Sequence, residues 1–107
     1  MTTTAVLAAT AAAARSADFT VASGATVAVY LTPESVSADT HTYVAILQRK
    51  STLDASGYQA VYRSEYGIEV TARMGGKHPS GLVIIAPGTY SVLKNATLGA
   101  VGVSVDS

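Results

Sequence analysis

The stretch Ile68-Glu69-Val70-Thr71-Ala72-Arg73 alternates apolar and polar side chains, and Val101-Gly102-Val103-Ser104-Val105-Asp106 repeats the pattern near the end of the chain. A period of two places one face of a β-strand against a core and the other face in water. Similar short runs, separated by Gly and Pro turns, fill the chain from Asp18 to Asp106. We therefore predict an all-β fold, built as a single antiparallel β-sandwich or jelly-roll-like domain.

The individual strands follow from the same period and from the turn residues between the runs. Residues 41–50 and 58–64 are expected to form a hairpin across a longer loop. The continuous apolar run 82–86 predicts a strand buried on both faces, and Tyr90, just after the Pro87-Gly88 turn, is expected in the core. The predicted strands are residues 19–21, 26–31, 41–50, 58–64, 68–74, 82–86, 89–93 and 98–106.

Residues 1–17 differ in composition from the rest and are expected to form an N-terminal arm, with the sandwich domain at 18–107. This segment consists of small-residue tracts and carries no charge before Arg15. An isolated stretch this short forms only a marginal helix in water. Three forms remain open, namely a flexible arm, a short strand on a sheet edge, or a segment that orders against a neighbour.

The charge balance argues against nucleic acid and membrane partners. Seven basic and seven acidic residues give a net charge of zero, and the basic residues are scattered instead of clustered. No apolar run approaches the roughly 20 residues of a membrane helix. Only 13% of residues are charged, against about 25% in typical soluble domains. Either part of the surface is covered by partners, or the chain is simply a small Ala-rich soluble protein.

Reactive chemistry is scarce in the sequence. The chain has no cysteine, and its two histidines, His41 and His78, have no Asp, Glu or His two or four residues further along. A metal site needs several convergent ligands, and no serine occupies a nucleophile-elbow sequence. We therefore expect a protein that is not an enzyme, with no catalytic residues, no metal and no cofactor.

The six tyrosines are the residues with the clearest binding potential. Tyr58 and Tyr62 are predicted to share a strand face, and Tyr66 lies near the bend that follows. Tyrosine buries a large area while keeping a polar tip, which suits protein interfaces. A tyrosine row could also stack on sugar rings, or the side chains could cap the ends of the core.

The order of these parts resembles that of small tailed-bacteriophage virion proteins. Such proteins open with an Ala/Thr/Ser-rich arm and a segment like Asp18-Phe19-Thr20-Val21-Ala22-Ser23-Gly24-Ala25-Thr26-Val27. They close with segments like Ile85-Ala86-Pro87-Gly88-Thr89-Tyr90-Ser91-Val92 and Gly99-Ala100-Val101-Gly102-Val103-Ser104-Val105. The resemblance is to head decoration or cement proteins. It implies a compact β-sandwich that binds across capsomer junctions as a dimer or trimer, without enzyme activity or cofactor.

On this basis the chain is expected to be a virion protein, assembled in the cytoplasm of the bacterial host, that contacts the major capsid protein or other virion proteins. The alternatives are a phage tail or fibre component, or a carbohydrate-binding or adhesion module that uses the tyrosines. The arm and the exposed 75–81 loop are the expected contact regions. The candidate interface residues are Thr2, Thr3, Thr4, Val6, Leu7, Tyr58, Tyr62, Tyr66, Lys77 and His78.

Overall fold

The computed structural model describes residues 2–32, 43–65, 68–75, 81–97 and 99–107. These residues form β-strands and turns only, so they include no helix of the length and apolarity that crossing a membrane requires. The all-β prediction is confirmed. The strands within these ranges are β1 (Thr3–Thr10), β2 (Ala14–Arg15), β3 (Phe19–Val21), β4 (Val27–Thr32), β5 (Ala45–Lys50), β6 (Tyr58–Ala60), β7 (Tyr62–Glu65), β8 (Ile68–Thr71), β9 (Arg73–Met74), β10 (Gly81–Ile84), β11 (Gly88–Lys94) and β12 (Val101–Asp106).

The strands form a sandwich of antiparallel sheets. One sheet has four strands in the order β1-β12-β4-β10. The six-stranded sheet runs β2-β11-β5-β6, with β3 also paired to β11 and β9 also paired to β5. The remaining pair, β7-β8, forms a separate two-stranded sheet. The predicted hairpin is confirmed for β5 and β6, which pair across the loop 51–57. The second predicted strand, 58–64, does not continue as one strand, because residues 62–64 belong to β7 and pair with β8.

The core lies between the two larger sheets and is built from alternating positions of their strands. In β4 the side chains of Val27, Val29 and Leu31 are buried, as the period of two predicts. Tyr90 is also buried, as expected, and its ring stacks on Phe19 with 6.1 Å between the centroids. The Tyr90 hydroxyl donates a hydrogen bond to the Ala86 carbonyl, which satisfies its polar tip.

The N-terminal residues contribute a strand to each large sheet. β1 pairs with β12 at the edge of the four-stranded sheet, and β2 pairs with β11 in the six-stranded sheet. The Ala17 amide donates to the Val6 carbonyl, and the Thr2 and Ser107 backbones exchange two hydrogen bonds. Of the three forms left open by the sequence, the structure has the edge strand. β2 and β3, which lie before and after residue 17, both pair with β11.

Both runs that predicted the fold depart from simple alternation. In β12 the outward residues Gly102 and Ser104 are buried as well as the valines, because they are small and lie opposite the larger Thr32 and Tyr30 of β4. A Cβ on Gly102 would approach the Leu7 carbonyl oxygen to 2.7 Å, so the irregular backbone of β1 covers this position. The prediction that this face lies in water is therefore wrong.

The run 68–73 is divided between two sheets instead of forming one strand. β8 ends at Thr71, and β9 begins at Arg73 on the edge of β5. Between them the Ala72 amide donates to the Val61 carbonyl, and the Ala72 carbonyl accepts from the Leu47 amide. These two bonds link the small β7-β8 sheet to the six-stranded sheet, which is why the strand is interrupted there.

A buried lysine holds the connection between β1 and β2. The side chain of Lys94 is only 1% exposed. Its Nζ donates to the Ala12 carbonyl and to the Asn95 carbonyl, both at 2.9 Å. Burial lowers the pKa of the Lys94 ammonium below its usual value, because the charged form is poorly solvated there.

Candidate functional site

The most exposed apolar segment of the described chain is the one that the sequence predicted to be the most buried. In the run 82–86 only Ile84 is fully buried, whereas Val83 is 68% exposed and Ile85 is 70% exposed. The reason is that β10 belongs to a two-layer sandwich, so Leu82 and Ile84 face the core while Val83 and Ile85 face outward. The prediction of a strand buried on both faces is wrong.

These side chains border an apolar groove of about 210 Å³. β10 and the residues that follow it form one wall, and Val61 and Tyr62 form part of the other. Leu47 and Tyr90 also line the groove, and the described lining residues carry no charge. Tyr62 is 61% exposed. An exposed cluster of large apolar side chains is unusual on a small soluble domain and is typical of a contact surface. We refer to Tyr62, Val83 and Ile85 as the groove triad.

Tyr58 lies in a different environment, a polar cluster on the six-stranded sheet. Its hydroxyl donates to Asp18 Oδ1 at 2.8 Å, and Lys50 Nζ lies 3.0 Å from Asp18 Oδ2. The Arg15 guanidinium covers the Tyr58 ring at 3.8 Å from its centroid, and Arg15 also donates to the Gln48 side chain. Cation–π contact and hydrogen bonds thus occupy both the ring and the hydroxyl of Tyr58.

The electrostatics of this cluster follow from its hydrogen bonds. Donation from Lys50 and then from Tyr58 lowers the pKa of the Asp18 carboxyl. The same contacts to Asp18 raise the pKa of Lys50 and the pKa of Tyr58. Because these groups are largely solvated, the ion pair contributes little to stability. It fixes the orientation of the Tyr58 side chain.

The interface residues predicted from the sequence therefore lie in separate parts of the structure. Tyr58 belongs to the polar cluster on β6, whereas Tyr62 starts β7 and belongs to the groove triad. The expected row of three tyrosines is not complete in the described chain, because Tyr66 lies outside it, as do Lys77 and His78. The ladder between β5 and β6 ends at Ala60, and this interruption separates the first two tyrosines.

The candidates near the N-terminus are held within the fold. Val6 and Leu7 are half-buried and pack against the hydrophobic core. The Thr3 hydroxyl donates to the Asp106 carboxylate, and the backbone of Thr4 pairs with Val105. The Thr2 side chain is exposed, but its backbone is bonded to Ser107. β1 presents threonine and alanine to solvent, not a large apolar surface.

The structure adds Val83 and Ile85 to the candidate surface, and sequence reasoning missed both. The signal was present as an uncharged apolar run between Gly81 and Pro87. Periodicity alone does not distinguish burial in the chain's own core from an exposed apolar edge. In the part of the chain that the structure describes, no three His, Cys, Asp or Glu side chains come together in an arrangement that could hold a metal ion. His41 and His78 lie outside that part.

Comparison with known proteins gives no assignment for this surface. The chain matches no protein family, no curated protein and no solved structure. Its function therefore has to be inferred from its own fold and surface.

Proposed function

We propose that this chain is a non-enzymatic structural protein of a bacteriophage virion, a decoration or cement protein that binds the head through protein–protein contacts. Two features support the proposal. The chain resembles such proteins in the layout of its segments, and its sandwich exposes an uncharged apolar groove. The exposed groove triad is the observation that carries the proposal.

The groove has the chemistry of a protein contact. Interface energy is concentrated in a few large side chains, with aromatic anchors favoured and charged residues depleted at the centre. The triad supplies one tyrosine and two aliphatic side chains that are more than half exposed in the isolated chain. Full burial of an aliphatic side chain such as Val83 or Ile85 contributes at most roughly 1.5 to 3 kcal/mol.

A single contact of this size binds weakly, but several linked contacts on a repeating lattice can hold the protein on a capsid. Linking several weak contacts raises overall affinity by about 10²- to 10⁴-fold without any new chemistry. A capsid offers identical sites at fixed spacing, so copies joined in a dimer or trimer, each with one apolar patch, can bind several sites at once and be retained there. The major capsid protein is the proposed partner, and a tail or fibre protein is the alternative.

Co-sedimentation with particles tests this function. Heads and tails of the phage that encodes the chain are separated, stripped of the chain and mixed with the purified protein. We expect the wild type to pellet with heads. The double variant Val83→Ser, Ile85→Ser should lose at least about tenfold in apparent affinity, since each 1.4 kcal/mol is a factor of ten.

Leu53 provides the matched control. It is 88% exposed in the loop between β5 and β6, outside the groove, so Leu53→Ser removes a similar exposed side chain. This variant should pellet like the wild type. Pelleting with tails alone would replace the decoration proposal with the tail alternative. Failure to pellet with either particle, or equal retention of the groove variant, would contradict the proposal.

A further inference from the structure

We propose that β10 pairs with β10 of a second copy of this chain, antiparallel across a two-fold axis at Val83. This inference goes beyond the virion assignment, because it concerns the isolated protein and does not require a capsid. It follows from the edge position of β10, from the regularity of its ladder and from its uncharged sequence.

The outer edge of β10 is suited to strand addition. β10 pairs with β4 on one side, and no described strand pairs with its other side. Natural proteins protect such edges with charges, prolines or bulges, because an open row of backbone donors and acceptors invites pairing. Residues 81–84 contain no charge and no proline, and all four pair with β4 without a register shift.

The other edge of the same sheet is β1, and its irregular backbone makes it a poorer partner for β10 than a second β10 strand is. β1 has two register shifts along its length, so its backbone does not present a regular ladder. Head-to-tail pairing of β10 with β1 would have to follow this irregular edge, and it would also leave open ends that continue to grow. Pairing of β10 with itself uses the regular edge twice and closes at a dimer.

The sequence of β10 is self-complementary in this arrangement. With the axis at Val83, that residue lies opposite Val83 of the second copy, and Leu82 lies opposite Ile84. Gly81 then lies opposite Ile85. The largest exposed side chain of the segment 81–86 is thus opposite a glycine, which has no side chain to clash with it. Because residues 81–86 carry no charge, the two copies meet without repulsion.

The size of the contact predicts a weak dimer. Stable interfaces bury about 800 Å² on each partner, and a four-residue strand with its flanking side chains provides less than this. We expect a concentration-dependent equilibrium between monomer and dimer, with a dissociation constant between about 10 µM and 1 mM. Sedimentation velocity over this concentration range should show the dimer increasing at the expense of the monomer.

Cross-linking through a single introduced cysteine tests the axis. The chain has no cysteine of its own, so the Val83→Cys variant carries one thiol at the proposed axis. Opposed residues in an antiparallel pair have Cα atoms about 4.5 to 5.5 Å apart, within the range of a disulfide. We expect covalent dimer to form about tenfold faster than with Leu53→Cys, because pairing raises the effective thiol concentration.

Charge pairing provides a second test that does not depend on oxidation. The Val83→Lys and Val83→Glu variants should each be monomeric, because the like charges face each other across the axis. Their equimolar mixture should restore the dimer to at least the wild-type level. Circular dichroism verifies that each variant folds, which the exposure of Val83 favours. If a variant does not fold, the cysteine comparison alone decides.

Three outcomes would overturn the inference. The first is a monomer over the whole concentration range, and the second is equal cross-linking of the Val83 and Leu53 cysteine variants. The third is growth beyond the dimer, which would indicate head-to-tail pairing. These experiments use the purified chain without particles, so a failure here is distinguishable from a failure to bind heads.

Discussion

The two edge strands of the four-stranded sheet, β1 and β10, differ in how much of their surface the chain itself uses. β1 is eight residues long, packs Val6 and Leu7 on the core and is irregular where it crosses Gly102. β10 is four residues long and leaves Val83 exposed, with exposed Ile85 just beyond its end. β1 is therefore a part of the fold, whereas β10 offers apolar surface that the monomer does not use.

Because of this difference, we expect substitutions along β1 to change the stability of the fold and substitutions at the exposed residues of β10 to change binding. Where side chains pack on the core, as Val6 and Leu7 of β1 do, their loss should reduce the free energy of unfolding. Where apolar side chains remain exposed, as in the groove triad, their loss should leave folding unchanged and reduce association. Substitutions along the two edges can test this separation.

Deleting residues 1–10 should have the largest effect on stability. The deletion exposes one edge of β12 and removes the packing of Val6 and Leu7. We expect the free energy of unfolding to fall by at least about 3 kcal/mol, from lost apolar burial and ladder hydrogen bonds. Chemical denaturation followed by circular dichroism measures it. Val83→Ser should change it by less than about 0.5 kcal/mol, as for other exposed sites. Equal stability of the truncated and full-length chains would show that β1 is a dispensable arm.

The contact between β1 and β12 gives a more local test. In Gly102→Val the new side chain would meet the Leu7 carbonyl and the Ala9 amide, so β1 must shift. Overpacking of this kind costs about 1 to 3 kcal/mol. Gly99→Val is the matched control, because no atom lies within 4 Å of a Cβ built there. If thermal denaturation gives the same midpoint for both variants, β1 does not cover Gly102 in solution.

Lys94, which holds the connection between β1 and β2, should have a smaller and pH-dependent effect on the free energy of unfolding. Its pKa is lowered by burial, so between that lowered pKa and the unfolded value of 10.5 the unfolded chain binds more protons. The stability of the wild type relative to Lys94→Met should therefore rise as the pH increases through this window and stay constant below it. Urea denaturation at a series of pH values measures the difference. Parallel stability curves for the two proteins would mean that Lys94 is solvated.

The sequence was sufficient for the fold class and for much of the core. Alternation along Val27–Thr32 and the turn before Tyr90 are local signals, and the structure agrees with both. The hairpin between β5 and β6 is also local, since only the loop 51–57 separates the two strands. Local patterns specify which face of a strand is apolar.

The features of the fold that the sequence did not predict depend on contacts between residues that are distant in the chain. β1 pairs with β12 across almost the entire sequence, and tracts of threonine and alanine contain no signal for that partner. The outward residues Gly102 and Ser104 are buried because residues distant in the sequence, on β1 and β4, cover them. Residues 82–86 show the converse, since Val83 and Ile85 are apolar but remain exposed in the fold. The candidate surface was therefore predicted only at Tyr62.

Hydrogen–deuterium exchange of the wild-type chain at low and high concentration tests the contrast between the two edges most directly. We predict that β1 amides bonded to β12 exchange slowly at every concentration, and that outward-facing β10 amides exchange rapidly when dilute and become protected as the dimer forms. Rapid exchange throughout β1, or β10 exchange independent of concentration, would contradict this assignment of the two edges.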